Sequence, residues 1–135
     1  MSNISGFKEK MLSGQILAGT FLKTPNYILV EVLAQSKLDF ICIDAEHAPF
    51  DRAALDQCLA ISRALDFPVF VRVGEGSAKE ILWALDSGAV GLVIPHEIVL
   101  KKLNSFQSQR GMDLVDVDLQ DPRVGQVTQL IICPL

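Results

Sequence analysis

Long apolar runs are missing from this chain of 135 residues: none reaches the ~18 residues that a membrane span requires. The opening residues, Met1 to Lys10, lack the apolar stretch of a signal peptide, so a cytoplasmic chain is expected. Cysteine is sparse. Three of them, an odd number with no CxxC spacing, supply neither a disulfide framework nor a zinc site. Excess positive charge is missing as well: 12 Lys and Arg face 16 Asp and Glu, a net charge of −4. That balance argues against a nucleic-acid binder, which needs a basic patch or stripe. Phosphate-loop signatures are lacking too. Gly74-Glu75-Gly76-Ser77 precedes a helical stretch and could offer backbone N–H groups to an anion, but it is neither a Walker loop nor GxGxxG.

What remains is an apolar chain. Half its residues are hydrophobic, 21% are charged and seven are Phe, which excludes a disordered polypeptide. The length fits one domain of about 100–200 residues and is enough to bury a core without disulfide or metal staples.

Four strand-like segments alternate with helical ones. Ile16 to Leu22 reads as a buried strand. Thr24 then predicts an N-cap and Pro25 a first helical position, with Ile28, Leu29, Val32 and Leu33 on one face. Leu38 to Ile43 is the second strand. It ends at Asp44-Ala45-Glu46-His47, and Asp51 caps a helix with Leu55, Leu59, Ile61 and Leu65 apolar. Val69 to Val73 is the third strand. Ser77 opens the next helix, with Ile81, Leu82 and Leu85 buried and Gly88 at its end. Val90 to Ile94 is the fourth strand, closed by Pro95-His96. Near-continuous apolar strands alternating with amphipathic helices predict a parallel sheet covered by helices. All strand C-termini then share one edge, where ligands bind in such folds. Asp44, Glu46, His47, Arg72, Glu75, Pro95 and His96 converge on that rim.

Two carboxylates and an imidazole just past a buried strand can do acid/base chemistry near neutral pH. Arg72 interrupts an apolar strand, where a charge must be paired or face a ligand. Its guanidinium fork suits a carboxylate or a developing enolate oxygen, and a salt bridge to Asp44 or Glu46 would satisfy it equally. His96 is a further rim residue. Cys42, Cys58 and Trp83 read as packing.

The tail changes rhythm. Residues 1–111 hold 11 basic and 12 acidic residues, whereas 112–135 hold one basic and four acidic. Asp113, Asp116, Asp118 and Asp121 follow neither a helical nor a clean strand period, and the EF-hand pattern fails because no Gly and no closing Glu follow. An edge strand plus coil is expected.

G-T-F-L-K-T at 19–24, I-D-A-E-H-A-P at 43–49, V-R-V at 71–73 and G-A-V-G-L-V-I-P-H at 88–96 resemble the HpcH/HpaI aldolase family, metal-dependent class II aldolases of 2-keto acids related to the citrate lyase β-subunit. The match runs from about Phe7 to about residue 110. The resemblance implies the N-terminal half of a (β/α)8 TIM-like barrel, a homo-oligomer when the barrel is complete, and reversible cleavage of a 4-hydroxy-2-keto acid to pyruvate and an aldehyde. It implies that His47 and Asp44 form the acid/base dyad, that Arg72 holds the pyruvyl oxygen, and that Glu46 and His96 contact substrate. A divalent ion, Mg²⁺ or Mn²⁺, would act as Lewis acid. The family's metal-binding Glu and Asp segments are absent from this sequence, so no metal ligand is assigned here, and impaired activity is expected.

A domain of residues 1–110 and an atypical tail of 111–135 follow from the same comparison. The family places a glycine-rich segment where the tail begins. Val115 to Val124 (VDVDLQDPRV) can be back-translated as GTG GAC GTG GAC TTG CAG GAT CCA CGC GTG, and two bases later this string reads G-R-G-L-A-G-S-T-R. The codon choices are ours; they permit a frameshifted tail. Two other readings of the chain stand beside the aldolase: a non-catalytic fragment that pairs with another subunit, and a small flavodoxin-like α/β binding domain in which the tail supplies a fifth strand.

Overall fold

The computed structural model describes residues 2–74, 77–94, 113–115 and 130–132. The elements in chain order are α1 (Asn3–Leu12), β1 (Gly19–Leu22), α2 (Tyr27–Ala34), β2 (Phe40–Asp44), α3 (Arg52–Ala64), β3 (Val69–Arg72), α4 (Ala78–Asp86), β4 (Gly91–Val93), β5 (Asp113–Val115) and β6 (Leu130–Ile132).

The strand order is β1-β2-β3-β4-β6-β5, and β1 to β4 are mutually parallel. Over β1 to β4 the order is consecutive without a reversal, the progression of a barrel wall. A flavodoxin-like sheet instead reverses its order at a switch point, so this topology overturns the flavodoxin-like alternative. The tail adds β6 antiparallel to β4 and β5 antiparallel to β6. The expected boundary near residue 110 lies outside the described residues.

The sheet separates two cores, because successive side chains of a strand point to opposite faces. On one face Ile41, Ile43, Val69, Val71, Val73 and Leu92 pack against Val30 of α2, Leu55 and Leu59 of α3 and Ile81 and Ala84 of α4. On the other, Cys42, Phe70, Val90 and Val93 meet Phe7 of α1, with Phe40 at the margin. The rings of Phe7, Phe40 and Phe70 form three edge-to-face contacts, with centroids 5.5–5.6 Å apart. Glycine at position 19 makes room for this cluster: a Cβ there would run into the Phe40 ring.

Sequence reasoning passed over α1. Its apolar residues are only Ile4, Phe7 and Met11 on its buried side, diluted by serine, glycine and lysine. Its start is fixed from a distance by Asp66, whose carboxylate accepts the N–H groups of Asn3 and Ile4.

Four local expectations need correction. The strand expected over Ile16 to Leu22 is confined to Gly19–Leu22, and Ile16 is 99% exposed. Three of the four residues of β1 are exposed because the strand lies at the sheet edge with β2 as its one partner. Helix α2 is capped by Asn26, whose Oδ1 accepts the Ile28 N–H at 2.9 Å, rather than by Thr24. Val30 is its buried residue and Leu29 and Leu33 pack beside it, while Ile28 and Val32 face outward. The run Tyr27-Ile28-Leu29-Val30 is apolar all round, so spacing alone could not choose the face. Leu65, expected on the apolar face of α3, is exposed just past its end.

The other punctuation stands where the residue chemistry puts it. Asp51 accepts the Ala54 N–H at 2.8 Å, and Ser77 and Glu80 form a capping box at α4. Gly88 closes α4 with φ +109.

Candidate functional site

The C-terminal ends of β2 and β3 carry Asp44 and Arg72 on the sheet face that also bears Cys42 and Phe70, and the two are direct partners in the strand register. Asp44 is fully buried. Arg72 donates to it at two points, Nε to Oδ1 at 3.1 Å and Nη2 to Oδ2 at 2.6 Å. The backbone N–H groups of Glu46 and His47 donate to Oδ1 at 3.2 and 2.9 Å. Lys23, immediately after β1, holds its Nζ 3.6 Å from Oδ2. Burial alone would push the Asp44 carboxyl up, but the Arg72 guanidinium and the His47 and Glu46 amides outweigh it and bring it down to about 2. The Arg72 guanidinium is correspondingly raised, first by its hydrogen bonds to Asp44.

Glu46 extends the network outward. Its Oε2 lies 3.5 Å from Arg72 Nε and is buried without a hydrogen-bond partner, and its Oε1 lies 3.4 Å from Nε2 of His47. The His47 side chain is 62% exposed. Asp44 and His47 therefore meet through the His47 backbone N–H, and the imidazole is turned to Glu46. The Phe21 ring covers the Arg72 guanidinium at 4.7 Å.

Of the residues singled out in the sequence, Asp44, Glu46, His47 and Arg72 come together at one rim. Glu75, Pro95 and His96 lie outside the described residues. Cys42 and Cys58 are buried, as their apolar surroundings suggested. Trp83 packs at the α3–α4 contact, with its indole N–H on Asp56 at 3.2 Å and Arg52 over its ring at 5.3 Å. Lys23 and Phe21 were missed. The signal was available, since both belong to G-T-F-L-K-T at the end of a strand whose neighbours end in charged residues.

Among the described residues, no group of three or more His, Cys, Asp or Glu could hold a metal ion. Glu46 Oε2, the one buried carboxylate oxygen among the described residues without a hydrogen-bond partner, faces a guanidinium. These residues do not by themselves fit the divalent ion that the family resemblance implies. No helix among them is long and apolar enough to cross a membrane.

No family model matches the chain. It is 36% identical over 89 residues to a hydroxypyruvate/pyruvate aldolase of Roseovarius nubinhibens, covering 66% of this chain and 35% of that protein. It is 37% identical over 90 residues to a 2-keto-3-deoxy-L-rhamnonate aldolase of Escherichia coli, covering 66% of this chain and 33% of the other. The chain thus spans about a third of the length of these curated relatives. Among solved structures, a citrate synthase superposes with TM-score 0.68 at 25% identity, over 91% of this chain and 46% of that one. An HpcH/HpaI aldolase/citrate lyase family protein from Burkholderia cenocepacia superposes with TM-score 0.63 at 31% identity, over 69% of this chain and 37% of that one. The four parallel strands alternating with helices thus match part of the TIM-barrel fold of such aldolases, and over that part the sequence is similar to members of the HpcH/HpaI aldolase family.

Proposed function

We propose that this chain carries the keto-acid-binding part of an aldolase site, one that reversibly cleaves a 4-hydroxy-2-keto acid into pyruvate and an aldehyde. The observation that carries this reading is the guanidinium of Arg72, locked by Asp44 at the C-terminal edge of a parallel sheet. Asp44 engages Nε and Nη2, and Nη1 is the proposed donor to a ligand oxygen. Cleavage moves the electrons of the C3–C4 bond into an enolate, and a fixed cation at the enolate oxygen stabilises that charge as it develops. His47, exposed on the same rim, is the group proposed to take the proton of the 4-hydroxyl. Asp44 is proposed to serve the pair by fixing Arg72 and, through its amide contact, the loop that presents His47. Glu46 lines the substrate side of Arg72.

The resemblance implies Mg²⁺ or Mn²⁺ as a Lewis acid for the keto acid. The described residues supply no ligand set for that ion, and impaired turnover by this chain belongs to the same reading. A cytoplasmic location and assembly into a homo-oligomer belong to the same reading. The domain division at residues 110 and 111, with a frameshifted tail, is likewise proposed.

Pyruvate release from a 4-hydroxy-2-keto acid in the presence of Mn²⁺, followed by a coupled assay, tests this reading. Arg72→Ala and His47→Ala are expected to abolish the release, and unchanged turnover in either variant overturns the assignment. The antiparallel placement of β6 on β4 favours a second reading, in which the tail extends the sheet and the chain binds a keto acid without turning it over. Saturable pyruvate binding with no product under the same conditions selects it.

A further inference from the structure

Lys23 stands at the end of β1 on the same rim as Asp44 and Arg72, yet its contact to Asp44 is of a different kind. Asp44 Oδ1 receives three N–H donors, Arg72 Nε and the Glu46 and His47 amides, and Oδ2 receives one, Arg72 Nη2. The Lys23 ammonium sits at 3.6 Å, beyond hydrogen-bond range, with its side chain 61% exposed. It meets Oδ2 by charge alone, without a hydrogen bond, and its exposed side chain can turn to another anion.

Charge arithmetic shows what it does instead. Arg72, Asp44 and Glu46 together carry one positive and two negative charges, a net −1, and a rim of that sign repels an incoming carboxylate. Lys23 brings the four described groups to zero. We propose that Lys23 is a specificity-determining residue: it selects a carboxylate-bearing substrate by cancelling the net negative charge around Arg72 and swinging from Asp44 to the substrate anion. This inference rests on reading the rim as a keto-acid site.

Pyruvate and its neutral methyl ester provide the test, with binding followed by ligand-observed NMR on the full chain. Lys23→Met is expected to weaken pyruvate binding about three- to tenfold, the effect of one unit charge at close range in a wet site. Methyl pyruvate binding and the thermal midpoint should not change. Lys23→Arg should keep most of the affinity, and added salt should narrow the gap between wild type and Lys23→Met. If Lys23→Met binds pyruvate as wild type does, or loses both ligands alike, the inference falls while the keto-acid reading stands. If wild type binds no pyruvate, or Arg72→Ala binds it unchanged, the keto-acid reading fails and takes this inference with it. Should the Met variant lose stability, Lys23→Gln carries the same comparison.

Discussion

Asp44 and Arg72 occupy paired positions at the ends of two adjacent parallel strands, and their side chains close a two-point ion pair with Nη2 2.6 Å from Oδ2. The strand register thus sets the electrostatics of the rim: a slip of one residue in either strand would send its charge to the helix-covered face, away from its partner.

The first prediction concerns acid. Asp44 binds its proton at about 2 in the folded chain against 3.8 for the free side chain. A depressed carboxyl contributes stability that is present in full above its unfolded value and is lost as pH falls through the folded one, here about 2 kcal/mol. Asp66 acts in the same direction: burial opposes the shift, but the amides of Asn3 and Ile4 hold its carboxyl below its ordinary value. The urea midpoint should be flat from pH 7 to 5 and fall steeply from pH 4 to 2. Asp44→Asn should flatten part of that fall, and an unchanged pH profile would show that the pair is not formed in solution.

A second prediction separates the pair from its parts. Arg72→Met removes the guanidinium and leaves a buried carboxyl behind, a loss of about 3 kcal/mol or more. Adding Asp44→Leu should recover much of it. Urea unfolding of both single variants and the double variant gives the coupling; simple additivity would mean the two groups do not depend on each other.

Beneath the ion pair, the aromatic cluster can be tested through a glycine. Gly19→Ala places a methyl group against Phe40 and must displace that ring from Phe7 and Phe70. Destabilisation of about 1–3 kcal/mol is expected, as for other overpacked sites. Hydrogen exchange in α1 should rise with it, because Phe7 anchors that helix.

Thiol chemistry offers a fourth check. Burial pushes the Cys42 thiol up to about 12 and that of Cys58 up to about 11. At pH 8 both should resist iodoacetamide in the native chain and react once urea unfolds it. Peptide mass spectrometry reports each site separately, and rapid native labelling of Cys42 would place it in solvent rather than beneath Arg72.

Much of the fold could be read from residue chemistry. β-rich runs ending in charged residues located β2 and β3, and Asp51, Ser77 and Gly88 marked helix ends by their local hydrogen bonding and backbone freedom. The rim was legible for the same reason, since Asp44 and Arg72 are charges placed where apolar residues should be. What escaped depends on distant partners. α1 owes its start to Asp66 and its anchorage to Phe40 and Phe70, residues far along the chain. The outward turn of Ile28 and Val32 is decided by docking, and the pairing of His47 with Glu46 rather than Asp44 comes from the path of the loop after β2.

The helix beneath the sheet also has a directional consequence. Phe7, Phe40 and Phe70 gather at one end of the face that bears Asp44 and Arg72, and the charged groups stand at the other. Rings at one end and ions at the other give that face a polarity along its strands, so a charged solute is drawn to the rim and not to the ring cluster.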